Sequence, residues 1–167
     1  IDFYLAMSLD GISVLNDLAG GVTVTLEDDF SAADPAMTKG ATLTLQGDQA
    51  EIFVRRRMDI GEGTNEARMV RQEEYLAQLS AQLESRVQQD QQFTAQVYDA
   101  LQPYLVTDLA KGQLVNEVWA AKDDTVEPAI ALEGEHKVAE DGFTEFYPTE
   151  ASIQKAVLTL FWEPVEE

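Results

Sequence analysis

Apolar and polar positions alternate between two periods along this chain, so short strands and helices are expected to intermix. Asp2 to Met7 alternates as a strand. Leu9 to Leu18 places Ile12, Leu15 and Leu18 at helical spacing behind Asp10, a residue suited to cap a helix, and Gly20 and Gly21 end it. Val22 to Leu26 and Thr42 to Leu45 read as strands, separated by a loop containing Glu27, Asp28, Asp29 and Pro35. Gly47 to Arg57 is helical by the spacing of Ala50, Phe53 and Val54, and Met58 to Thr64, with Gly61 and Gly63, is a loop whose last residue caps the next helix. That helix runs from Asn65 to about Gln88, with Met69, Leu76, Leu79, Leu83 and Val87 as its apolar stripe and its glutamines on a solvated face. Phe93 to Leu105, interrupted near Pro103, and Gln113 to Ala121 are further helices. Pro128 to Glu133 and Phe143 to Tyr147 are strand candidates, and Ala151 to Phe161 is a closing helix. No internal repeat or linker is visible, which predicts one layered α/β or α+β domain over residues 1–167.

Composition narrows the function. At 167 residues with 45% apolar content, the chain has the makeup of one globular domain. Its 31 acidic and 11 basic residues give a formal charge of −20, a field that opposes nucleic acid and anionic membrane surfaces. Without cysteine there is no disulfide, thiol nucleophile or Cys-ligated metal. No apolar run reaches the length of a membrane span, and no signal-peptide pattern opens the chain. The start at Ile1, without Met and already in a strand-like pattern, reads as a cut, so any upstream anchor or catalytic segment would lie outside the sequence.

The charge is unevenly distributed. Residues 1–54 sum to −8 and 72–167 to −14, whereas 55–71 sum to +2 and hold five of the six arginines. One reading is that these arginines pair with the surrounding acids. The other is an anion site: Arg68, Arg71, Gln72 and Tyr75 share a helix face and should line a crevice, while Arg55, Arg56 and Arg57 arrive from the preceding helix. Guanidinium forks converging on one cleft suit a phosphate or diphosphate, because each donates paired hydrogen bonds and stays charged. Gly61 and Gly63 make neither a P-loop nor a dinucleotide fingerprint. His136, the one histidine, has no second histidine and no cysteine to form a metal or thiol partnership and reads as a surface residue. Glu27, Asp28 and Asp29 could take a divalent cation but read as a solvated loop. Phe143, Phe146, Tyr147, Phe161 and Trp162 read as core.

The segments LNDLAGGVTVTLEDDF, LTLQGDQAEIFVRRR and NEARMVRQEEYL, in this order, resemble the LytR-CpsA-Psr family of cell-envelope proteins over about Asp2 to Leu79. The stretch EGEHKVAEDGFTEFYPTEASIQKAVLTLFW is similar to the tail of some longer members, about residues 125–167 here. The resemblance implies a three-layer α/β/α sandwich around a mixed sheet, represented here by its C-terminal part without the N-terminal portion. It also implies an extracytoplasmic phosphotransferase of the Gram-positive envelope that moves a glycopolymer, such as a teichoic acid or capsular polysaccharide, from a polyprenyl diphosphate carrier to peptidoglycan. Arg55 and Arg57 would be the family's Arg-x-Arg pair, and Arg68, Arg71 and Gln72 would continue the diphosphate cradle, while Arg56 falls at a variable place.

Mg2+ is the implied cofactor, its ligands expected upstream of Ile1 together with the family's Arg-Asp segment. Asn65 stands where many members carry Asp, with Asp59 or Glu62 as possible replacements. Exposed sheet edges would favour a second copy or a partner completing the site. A second reading keeps the arginine cleft but makes the chain a non-catalytic envelope module that binds an anionic lipid diphosphate or wall polymer. A third, transcriptional regulation by direct DNA contact, is opposed by the charge.

Overall fold

The computed structural model describes residues 3–61, 63–124 and 130–162. Its chain forms two compact units, residues 1–124 and residues 125–167. In the first, strand β1 (Leu5–Met7) leads into helix α1 (Gly11–Ala19), strands β2 (Thr23–Thr25) and β3 (Thr42–Thr44), and helices α2 (Asp48–Arg55) and α3 (Asn65–Gln89). Helix α4 (Phe93–Leu101), a 3-10 turn (Gln102–Tyr104), strand β4 (Leu105–Thr107) and helix α5 (Lys111–Ala120) complete it. The second unit contains strands β5 (Gly134–Val138) and β6 (Thr144–Pro148) and helix α6 (Glu150–Phe161).

Glycine closes α1 as expected: Gly20, at φ 102°, turns its N–H back onto the carbonyls of Asn16 and Asp17. Asp10 precedes this helix but makes no capping bond with its side chain. Thr64 does cap α3, accepting from the Ala67 N–H at 3.1 Å. The core of the first unit gathers Val22, Val24, Leu26, Phe30, Met37, Leu45, Ala50 and Phe53 from the β2–β3 region and α2 against Tyr75 and Leu79 of α3. Fully buried, these side chains supply most of the drive that holds short elements together.

The α/β class holds, with helices and short strands intermixed along the chain. Instead of one mixed sheet, however, the described strands form three antiparallel pairs, β1 with β4, β2 with β3, and β5 with β6. The predicted helix from Phe93 to Leu105 ends earlier. Pro103 has no N–H to continue the ladder, so α4 tightens into the 3-10 turn and the chain leaves as β4 opposite β1.

The stripe on α3 is also corrected. Arg71, Tyr75 and Leu79 are buried, whereas Met69 and Leu76 are exposed. Residues four apart drift by about 40° around a helix, so the row buried at 71, 75 and 79 leads on to 83 and 87 and leaves Met69 and Leu76 beside it.

In the second unit, Pro128 and Ala129 lie outside the described residues, and Ile130 to Glu133 form no strand. The strand is Gly134–Val138. Exposed along its whole length, it carries no burial alternation to announce it. Phe143, Phe146, Tyr147, Phe161 and Trp162, expected in a core, are exposed.

Candidate functional site

Any α-helix leaves its last carbonyls without partners inside the helix. At the end of α2, two neighbouring residues of α3 meet this need. Arg71 donates from Nε to the Phe53 carbonyl at 3.2 Å and from Nη2 to the Arg56 carbonyl at 2.6 Å, and Gln72 Nε2 donates to the Val54 carbonyl at 2.9 Å. The remaining guanidinium nitrogen, Arg71 Nη1, donates to Asp28 Oδ2 at 3.0 Å, and the Phe30 ring lies 5.3 Å from the guanidinium carbon. Burial pulls the Arg71 pKa down while the Asp28 carboxylate opposes that shift. The C-terminal end of α2 is thereby tied to α3.

Outside this tie lies a depression of about 600 Å³ lined by Asp48, Glu51, Ile52, Arg55, Arg56, Arg57 and Met58. Arg55 is exposed and pairs with Glu51 one turn back. Arg56 turns onto its own loop, donating from Nε to the Met58 carbonyl at 3.2 Å and standing 3.7 Å from Asp59. Arg57 is exposed and makes no acid pair among the described residues. Arg68 stands on α3 outside the depression's lining. Its Nη2 donates to Asn65 Oδ1 at 2.6 Å, and its buried Nε has no hydrogen-bond partner among the described residues. An amide oxygen at position 65 thus orients the arginine.

A second hollow, of about 230 Å³, is apolar and lined by Met7, Ile12, Leu15, Val54, Gln72, Tyr75, Leu76 and Leu79. Of the four residues expected to line a crevice together, Gln72 and Tyr75 do so here, while Arg71 is turned towards α2. Val54 belongs to this crevice and the next residue, Arg55, to the arginine-lined depression, so both hollows reach the last turn of α2. The Tyr75 hydroxyl donates to Asn16 Oδ1 at 3.2 Å, and burial together with the Asp17 charge pushes its pKa up to about 12.

Asn16 is a residue whose weight the sequence concealed. Wholly buried, it donates from Nδ2 to the Leu45 carbonyl at 2.7 Å and accepts the Val22 N–H at 3.1 Å. An Asn inside the apolar face formed by Ile12 and Leu15 was the available signal. Asp28 is another, since one member of an acidic run could not be told from its neighbours by composition. Asp29 stays exposed and accepts the Ser31 N–H, which lowers its pKa. His136 is exposed on β5 with its ring 5.0 Å from that of Phe146. Among the described residues no three His, Asp or Glu side chains gather in a way that could hold a metal ion.

Among the described residues, three of the five clustered arginines, 55, 56 and 71, pair with acids. An α/β unit with an arginine-lined depression and an apolar crevice reaching one helix end suits a ligand with a compact anionic head and an apolar body. The LytR_cpsA_psr family model matches residues 1–160, and the chain belongs to this family of cell-envelope proteins. The search of curated proteins gives no match.

Among solved structures, protein gbs0355 from Streptococcus agalactiae is similar at a TM-score of 0.76 and 20% identity, covering 95% of this chain and 57% of its own length. TagT bound to LI-WTA is similar at 0.67 and 18% identity, covering 93% of this chain and 58% of its own. Bacillus subtilis TagV is similar at 0.64 and 17% identity, with coverage of 98% and 66%. The chain therefore spans a little over half to two thirds of the length of these structures.

Proposed function

We propose that this chain is the part of a cell-envelope transferase that holds a polyprenyl diphosphate carrier while its glycopolymer passes to peptidoglycan on the extracytoplasmic side. The carrying observation is the C-terminal end of α2, where Arg55 and, two residues past the helix, Arg57 line the charged depression and Val54 lines the apolar crevice. Arg55 and Arg57 would donate to the diphosphate oxygens, and Arg68, half-buried on α3, would add a further fork; Arg71 and Gln72 hold the end of α2 through its carbonyls. The apolar crevice would take the first part of the lipid tail. Family membership and the likeness to TagT, which was solved with LI-WTA, support a glycopolymer as the cargo.

Phosphoryl transfer depends chiefly on positioning and on stabilising charge spread over non-bridging oxygens, and arginines supply both without forming a covalent bond to substrate. The exposed pair of Arg55 with Glu51 contributes little and yields readily to a doubly charged phosphate. Mg2+, the cation the resemblance implies, would be held by ligands outside the described residues, among which no three His, Asp or Glu side chains gather.

Calorimetric titration of a short prenyl diphosphate tests the reading. Saturable binding is expected, weakened about tenfold or more by Arg57→Ala and by Arg68→Ala in variants that keep their fold, in line with the loss of a charge-assisted contact. Equal binding by wild type and both variants would sink the assignment. Separating carrier binding from transfer requires turnover with peptidoglycan as acceptor: a protein extended to the family's full length that binds the carrier yet never transfers would be a binding module.

A further inference from the structure

We infer that Asp28 and Arg71 form a positioning pair for the arginine site, setting the direction of Arg57 without touching the ligand. The inference rests on the proposed reading of Arg55 and Arg57 as anion contacts and adds to it a residue, Asp28, from the loop after β2. All three nitrogens of the Arg71 guanidinium are engaged within the protein, on the Phe53 and Arg56 carbonyls and on Asp28. With three of its five N–H groups so engaged and the side chain buried, Arg71 stays out of the depression's lining. Its carbonyl partners bracket Arg55 and immediately precede Arg57, so its orientation becomes theirs.

The same carboxylate also fixes the loop that follows. Gly61 lies so close over Asp28 that a Cβ built there would stand 2.0 Å from Oδ1, at a backbone φ of 34°. A side chain at 61 would displace the carboxylate. Gly63 approaches the Arg57 carbonyl in the same manner, with a hypothetical Cβ at 2.6 Å from that oxygen. The backbone at Arg57 is thus confined from three directions: Arg71 holds the preceding carbonyl, Arg56 Nε holds the following one at Met58, and Gly63 covers its own. The two glycines that spell no phosphate-binding motif serve close packing around an arginine. With the backbone held, the Arg57 side chain projects into the depression with less conformational freedom to lose on binding.

Arginine Nε–Hε signals in 15N spectra, recorded during titration with inorganic pyrophosphate, test the pair in the full chain. In the wild type the Arg71 signal should stay in place while those of Arg55 and Arg57 move. Asp28→Asn keeps an oxygen towards Arg71 but removes the charge. It should weaken pyrophosphate about tenfold or more, an effect of misdirected donors, and raise amide exchange over residues 56–61, in protein whose far-UV circular dichroism is unchanged.

Gly61→Ala, which displaces the carboxylate from the other side, should reproduce both effects if Asp28→Asn fails to fold. The pair is refuted if Arg71 moves with the ligand like Arg57, or if both variants bind pyrophosphate as the wild type does. If the wild type shows no arginine shift at all while the variants still loosen residues 56–61, the anion reading falls and the anchoring of the loop stands. If the loop does not loosen either, both fall.

Discussion

Replacing Asn16 with Ala removes the partner of three groups at once: the Leu45 carbonyl, the Val22 N–H and the Tyr75 hydroxyl. Asn16 itself is wholly buried, as are Val22 and Leu45, so water has little access to the two backbone groups. Leaving a buried donor or acceptor unpaired costs about 1–3 kcal/mol, whereas the tyrosine hydroxyl, beside the apolar crevice, loses about 1 kcal/mol. Taken together the loss should be about 3–7 kcal/mol, a large share of the 5–15 kcal/mol that holds a typical domain. Urea unfolding followed by far-UV circular dichroism would show it as a lowered midpoint with little change in slope. Tyr75→Phe deletes a single contact and should lose about 1 kcal/mol. In the double variant the two losses should be less than additive, because the Tyr75–Asn16 bond can be removed only once. A loss below about 1 kcal/mol for Asn16→Ala would refute the view that this side chain ties α1 to the β2–β3 region and α3.

Tyr75 also predicts alkaline instability. Its pKa is raised from 10.0 to about 12, so between these values the unfolded chain releases a proton that the folded one keeps. Stability is therefore intact below pH 10 and falls by about 2–3 kcal/mol as pH rises through 12, a loss that Tyr75→Phe should abolish in urea titrations at pH 9 and pH 11.5. Thr64→Ala should cost about 1 kcal/mol through loss of the α3 cap, and Thr64→Ser should restore most of it; equal unfolding midpoints for the two variants would show that the cap contributes nothing.

Much of the secondary structure was legible because local chemistry decides it. Gly20, Thr64 and the spacing of Phe53 and Val54 act within a few residues of themselves, and the boundaries of α1, α2 and α3 follow from them. Pairing of strands was not legible, because β1 meets β4 across about a hundred residues and three-residue strands carry too little alternation to show a register. In the site, the arginine window stood out against an acidic chain, and Gln72 and Tyr75 were placed on a crevice by helical spacing alone. What spacing could not show is how a guanidinium is used. Arg57 and Arg71 are the same residue type in the same window, yet one is exposed and the other is consumed by carbonyls and a carboxylate that come from distant segments.

The second unit has a consequence for how this protein can be divided. None of its described residues from 130 to 162 is buried, and Phe143, Val138, Phe161 and Trp162 are each more than two thirds exposed. Ordering a chain costs about 1–2 kcal/mol per residue, and a hairpin with one helix that buries no side chain fully has little to set against it. A peptide of residues 130–162 made alone should thus be a statistical coil, rich in exposed apolar side chains. Residues 1–124 hold every buried apolar side chain described.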